Sequence, residues 1–123
     1  MILVDTSVWI DHLRQSDSAL VTELEASAVL THPFIVGEIA CGNLSNREQV
    51  LTLLQALPQA PVASDAEVLE FIERRRLMGR GIGYIDVHLL AAVALDGTAT
   101  LWTRDRRLAA VAAELTLASG EPG

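Results

Sequence analysis

The chain reads as a single α/β domain with a mainly parallel, twisted sheet flanked by helices on both faces. Two observations predict it. Short β-prone apolar runs (Ile2-Leu3-Val4, Ala28-Val29-Leu30-Thr31, Ala99 to Thr103) alternate with segments whose apolar residues recur at helical spacing. The 123 residues suffice for one core and not for two, and half of them are apolar. Only Trp9, Phe34, Phe71, Tyr84 and Trp102 are aromatic, so Ala, Val, Leu and Ile must build that core. Residues 1–118 are expected to form the domain and residues 119–123 a short flexible tail.

Taken in order, Ile2-Leu3-Val4 is a buried strand, and Asp5-Thr6-Ser7 turns it into a helix carrying Val8, Trp9, Ile10 and Leu13. Ser18 is placed to cap a second helix bearing Leu20 and Leu24, which leads into the strand Ala28 to Thr31. Pro33 suits the first turn of a third helix ending near Gly42, because the N–H that proline lacks is unpaired there anyway. On that helix Glu38 shares a face with Phe34, Ile35 and Cys41, so its side chain is expected on the apolar side. Ser45 with Glu48, and Ser64 with Glu67, have the spacing of capping boxes for two further helices. Between those helices Pro58 to Pro61 breaks the pattern, and Pro61-Val62-Ala63 has the residues of a short strand. Gly79-Arg80-Gly81-Ile82-Gly83 is a flexible loop before a helix opening near Tyr84 or Ile85. Asp86 falls in its first turn, where the helix dipole favours a carboxylate. Asp96-Gly97 ends that helix, and Ala99 to Thr103 is a strand, Asp105 to Glu114 a helix and Leu115 to Ala118 a last strand.

The apolar runs are too short or too interrupted to span a bilayer, and no charged prelude precedes Ile2, so a soluble, cytoplasmic protein with no membrane partner is expected. The lone Cys41 excludes an internal disulfide or a thiolate zinc cluster and reads as small core filler. A net charge of −7 argues against indiscriminate adhesion to nucleic acid or anionic lipid. The basic residues are nonetheless distinctive: lysine is absent, and most of the arginines fall between Arg74 and Arg80 or between Arg104 and Arg107. Arginine forks fit phosphate better than lysine point charges do, which makes Arg80, Arg104, Arg106 and Arg107 candidates for phosphate contact. Arg74-Arg75-Arg76 suits a solvated helix end equally well.

Asp5, Glu38, Asp86 and Asp105 each sit at the end or on the face of an apolar segment. A buried, uncompensated carboxylate costs several kcal/mol, roughly, so four sent toward one core are expected to gather around a cation. Magnesium and manganese prefer oxygen ligands and are commonly held by a few carboxylates plus substrate phosphate. Thr6, Ser7 and Thr103 carry hydroxyls placed to orient those carboxylates. Singly, Asp5, Asp86 and Asp105 have ordinary readings as turn or cap residues; Glu38 does not. Metal-assisted hydrolysis of a nucleic-acid backbone is the chemistry this set supports. His88, among apolar helix residues, reads as packed or surface, and His12 and His32 have weaker claims still.

Four ordered stretches resemble PIN domains, and more narrowly the VapC-type toxins of bacterial and archaeal toxin-antitoxin pairs. They are Asp5-Thr6-Ser7-Val8-Trp9-Ile10, Gly37-Glu38-Ile39, Tyr84-Ile85-Asp86-Val87-His88-Leu89-Leu90-Ala91-Ala92 and Leu101-Trp102-Thr103-Arg104-Asp105-Arg106-Arg107-Leu108. The resemblance implies a Mg2+- or Mn2+-dependent endoribonuclease that cuts transfer or ribosomal RNA and so stops translation. It implies Asp5, Glu38, Asp86 and Asp105 as the acidic metal centre, with Ser7 and Thr103 supporting it. It also implies a homodimer and a VapB-like antitoxin through which operator DNA is bound. Rival readings are a catalytically silent PIN-like binding module and a receiver-like signalling domain. The receiver reading expects an acidic pair after the first strand and a late lysine, whereas Thr6-Ser7 follows Asp5 and lysine is absent.

Overall fold

The β-prone run at the amino end forms strand β1 (Ile2–Val4), and β2 (Val29–Leu30) and β3 (Thr100–Trp102) pair with it in parallel. The structure is a computed structural model and describes residues 1–122. Strand order is β2-β1-β3, so β1 is central, with Leu3 paired to Leu30 on one side and Leu101 on the other. Among the described residues there are seven helices: α1 (Thr6–Arg14), α2 (Ser18–Glu25), α3 (Pro33–Ala40), α4 (Arg47–Ala56), α5 (Asp65–Arg75), α6 (Tyr84–Asp96) and α7 (Arg106–Glu114). Successive strand residues face opposite sides of a sheet, yet Leu3 and Val4 are both 0% exposed, and Leu101 and Trp102 both 1%. Both faces are therefore covered, as a parallel sheet requires. Among the described residues no helix is long and apolar enough to cross a membrane.

The chain steps from β1 to β2 in one direction and from β2 back across β1 to β3 in the other. Such a reversal opens a crevice at the carboxyl ends of the strands. Asp5 follows β1 there and Thr103 follows β3, and the Asp5 N–H donates to the Trp102 carbonyl at 2.9 Å, which fixes their register.

The expected α5 capping box is present: the Glu67 N–H donates to Ser64 Oγ at 3.1 Å and the Ser64 N–H to Glu67 Oε1 at 2.9 Å. Two expected caps, at α2 and α4, differ. Asp17, not Ser18, caps α2, accepting from the Ala19 and Leu20 N–H groups. A carboxylate one residue earlier reaches both orphan amides, which leaves Ser18 inside the helix. No box forms with Ser45 and Glu48; Asn46, at φ 54°, precedes α4 without a side-chain cap. Arg47 instead donates to the Ala40 and Gly42 carbonyls, closing α3.

Two expected strands shrink to single bridges. Instead of Pro61-Val62-Ala63, Gln59 pairs with Thr31, because the Ala60 N–H supplies the ladder bond and Pro61 has no N–H to extend it. In the run Leu115 to Ala118 only Ala118 pairs, with Leu101, since Thr116 adopts φ 58° in the turn that ends α7. Cys41 is exposed at the end of α3 and does not fill the core. Of the expected tail, Ser119 bonds to Leu101 and Glu121 is tied down by side-chain contacts, while Gly123 lies outside the described residues.

Candidate active site

The expectation that four carboxylates enter the core holds for one of them. Asp5 is 6% exposed, Asp86 is half-buried, and Glu38 and Asp105 are exposed. For Glu38 the reason is helical phase: Ile35 and Ile39, four apart, define the buried stripe of α3, and Glu38 stands beside that stripe. It faces the crevice because Thr6, at the start of α1, donates to its Oε1 at 2.7 Å.

Asp5 is held by two hydroxyls. Ser7 Oγ and Thr103 Oγ1 each donate to its Oδ2 at 2.8 Å. The Ser7 oxygen in turn accepts the Arg104 N–H at 3.0 Å, and the Thr103 oxygen accepts the Asp105 N–H at 3.1 Å. The turn after β1 and the turn after β3 are thus one hydrogen-bonded unit. Asp105 caps α7, its Oδ1 accepting the Leu108 N–H at 3.0 Å. Asp86, in the first turn of α6, accepts the Gly83 N–H at 3.0 Å through Oδ2.

The same pattern holds for all four acids: one oxygen is anchored to the chain, and among the described residues the other has no protein donor. No ion pair reaches any of them among those residues either. Burial pushes the Asp86 carboxyl above its ordinary range, and the nearby Asp5 and Asp105 charges push it further, against the pull of the Gly83 N–H. Asp5, Asp86 and Asp105 therefore share one electrostatic neighbourhood, while Glu38 joins through Thr6. Among the described residues no three acidic or histidine side chains close into a ready metal cage. Four separate free oxygens fit a hard divalent cation that keeps part of its water, as magnesium does.

The arginines divide. Arg104, expected to contact phosphate, is engaged within the chain: its guanidinium bonds Asp11, Asp17 and Glu121. Arg80 donates to Glu114 at 2.8 Å in a partly exposed pair. Arg106 and Arg107 are exposed on the first turn of α7 beside Asp105, and Arg107 lies against the backbone of Gly81.

His88 and His32 are buried, with His88 edge-on to Phe34 and to Tyr84 at 4.7 Å each. The Tyr84 hydroxyl donates to Asp65 at 2.9 Å, tying the first turn of α6 to α5. His32 caps α3 through Nδ1, which accepts the Phe34 N–H at 3.1 Å. The sequence reading missed this cap and the Arg104 partners. Asp17 before Ser18-Ala19-Leu20 was the readable signal for one of those partners, since aspartate is as good a cap as serine; Glu121 offered none.

The PIN domain family matches residues 2–114, a span from β1 to α7 that includes all four acids. Two relatives, from two strains of Mycobacterium tuberculosis and both named Ribonuclease VapC32, are 51% identical to this chain over 121 residues. The alignment covers 98% of this chain and 98% of each relative. The chain belongs to the PIN-domain family and is a homologue of a VapC ribonuclease.

Proposed function

We propose that this protein is a metal-dependent endoribonuclease toxin. In this reading Asp5, Glu38, Asp86 and Asp105 hold Mg2+ or Mn2+ through their free oxygens, while Thr6, Ser7 and Thr103 orient those carboxylates. The observation that carries it is that each of these four acids commits one oxygen to the chain and, among the described residues, leaves the other without a protein donor or an ion pair. A divalent cation bound there would supply activation of water and neutralisation of charge at the phosphodiester. The chain's own part is to present acceptors whose partner oxygens are already tied to a hydroxyl or a backbone N–H. Arg106 and Arg107, exposed beside Asp105, contact RNA phosphates, and Arg80 does so by exchanging its surface partner Glu114.

The substrate is transfer or ribosomal RNA, whose cleavage inhibits translation in the cytoplasm. The likeness to Ribonuclease VapC32 supports the ribonuclease assignment. In the same reading the toxin is a homodimer, neutralised by a VapB-like antitoxin through which operator DNA is bound. The test is incubation of total RNA with purified protein in Mg2+ or Mn2+ against a chelator, beside Asp5→Ala. Discrete metal-dependent fragments missing from the variant are expected. A folded, inhibitor-free protein that cuts nothing with either metal would sink the nuclease reading in favour of a silent binding module.

A further inference from the structure

Arg104 stands between Thr103 and Asp105, yet its side chain turns away from the crevice toward three carboxylates on three different segments. Its Nη1 bonds Asp11 of α1 at 2.9 Å, its Nη2 bonds Asp17 at the cap of α2 at 2.7 Å, and its Nε bonds Glu121 at 2.7 Å. The guanidinium lies over the Trp102 ring, 5.3 Å from its centroid. The other oxygen of Glu121 accepts from Trp102 Nε1 at 2.6 Å. Glu121 reaches this place because Ala118 pairs with Leu101 and the Ser119 N–H donates to the Leu101 carbonyl, which carries the chain end along β3.

We infer that Arg104 is a positioning residue of the acidic centre and that the chain's own C-terminal segment, through Glu121, is the strap that holds it. The inference rests on the nuclease reading for its consequence and not for its geometry. The Arg104 N–H is bonded to Ser7 Oγ, which holds Asp5, and the next N–H, of Asp105, is bonded to Thr103 Oγ1, which holds Asp5 as well. Fixing the Arg104 side chain fixes both hydroxyls and the start of α7. A planar fork with three engaged nitrogens does this; a lysine ammonium has the charge without the geometry. The Arg104 hydrogen bond, with the Leu20 N–H, also holds the Asp17 carboxyl below its ordinary range.

The experiment compares full-length wild type with Arg104→Lys and Glu121→Gln, with Arg74→Gln as an exposed, remote control. Amide hydrogen exchange is followed at Arg104 and Asp105, and binding of Mn2+ alone is measured by titration. Rates are taken on a synthetic oligoribonucleotide spanning a site cut in total RNA. Faster exchange in both variants is expected, with weaker Mn2+ binding and kcat lowered about 10- to 100-fold, the usual cost of freeing a ligand's support. KM for RNA and cooperative unfolding stay as in wild type. Glu121→Gln keeps shape and one neutral hydrogen bond, so it reports even where Arg104→Lys folds poorly. Unchanged exchange in both variants would overturn the strap. A raised KM with a shallower salt dependence at unchanged kcat would overturn it too, by making Arg104 a phosphate contact. Faster exchange in both variants of a protein whose wild type cuts no RNA would uphold the strap and reject only the nuclease reading.

Discussion

Asp86 and His32 are both shifted by burial, in ways a measurement can read. Asp86 is an acid pushed above its ordinary range, first by burial and then by Asp5 and Asp105. Asparagine keeps the acceptor for the Gly83 N–H and removes the charge. Asp86→Asn is therefore expected to raise the melting temperature of the metal-free protein. Adding Mn2+ should then stabilise wild type and leave the variant behind, because only a bound native state gains from the ion. Scanning calorimetry with and without chelator checks both halves. His32 is shifted the other way: burial, and then the neighbouring His88, depress it from 6.5 to about 4. In that window the unfolded chain takes up a proton that the folded chain refuses, so this contribution is complete above pH 6.5 and is lost as pH falls toward about 4. Protonating Nδ1 would also remove the acceptor that caps α3. Urea unfolding between pH 8 and pH 5 should show that slope, and His32→Asn, which keeps a cap but not a titrating ring, should flatten it.

Element boundaries follow local chemistry where one side chain suffices and depart from it where two could serve. The α5 box was legible in the spacing of Ser64 and Glu67, and Ser64→Ala is expected to cost about 1 kcal/mol in urea unfolding. At α4 the same spacing misled, since Arg47 turned back to close α3 and the chain entered the helix through a left-handed Asn46. The loop before α6 was legible as glycine-rich, but the role of one glycine was not. Gly81 sits at φ +78°, and a Cβ there would lie 2.8 Å from the Arg107 side chain. Gly81→Ala should cost about 1–2 kcal/mol from the backbone alone. It should also displace Arg107, so RNA binding is expected to weaken in a salt-dependent way while Mn2+ binding holds.

At the scale of the molecule, a three-stranded parallel sheet with β1 in its middle sets the whole site. Leu3 is fully buried between Leu30 and Leu101, so Leu3→Ala is expected to cost about 2–5 kcal/mol and to disorder the acidic centre with the core. The alternation of β-prone runs with helical periodicities determined the fold class, and the position of Asp5 and Asp105 just beyond strands brought them to one crevice. Those are properties of neighbouring residues, and a linear sequence contains them. What the tertiary structure decided is direction and partnership: that Glu38 leaves the buried stripe of α3 for Thr6, and that each acid commits one oxygen to the chain. It also decided that Arg104 serves three carboxylates, one of them from the chain's end. Such choices depend on which side chains from distant segments arrive within about 3 Å of each other, the range over which a hydrogen bond acts. No spacing along a single chain specifies that.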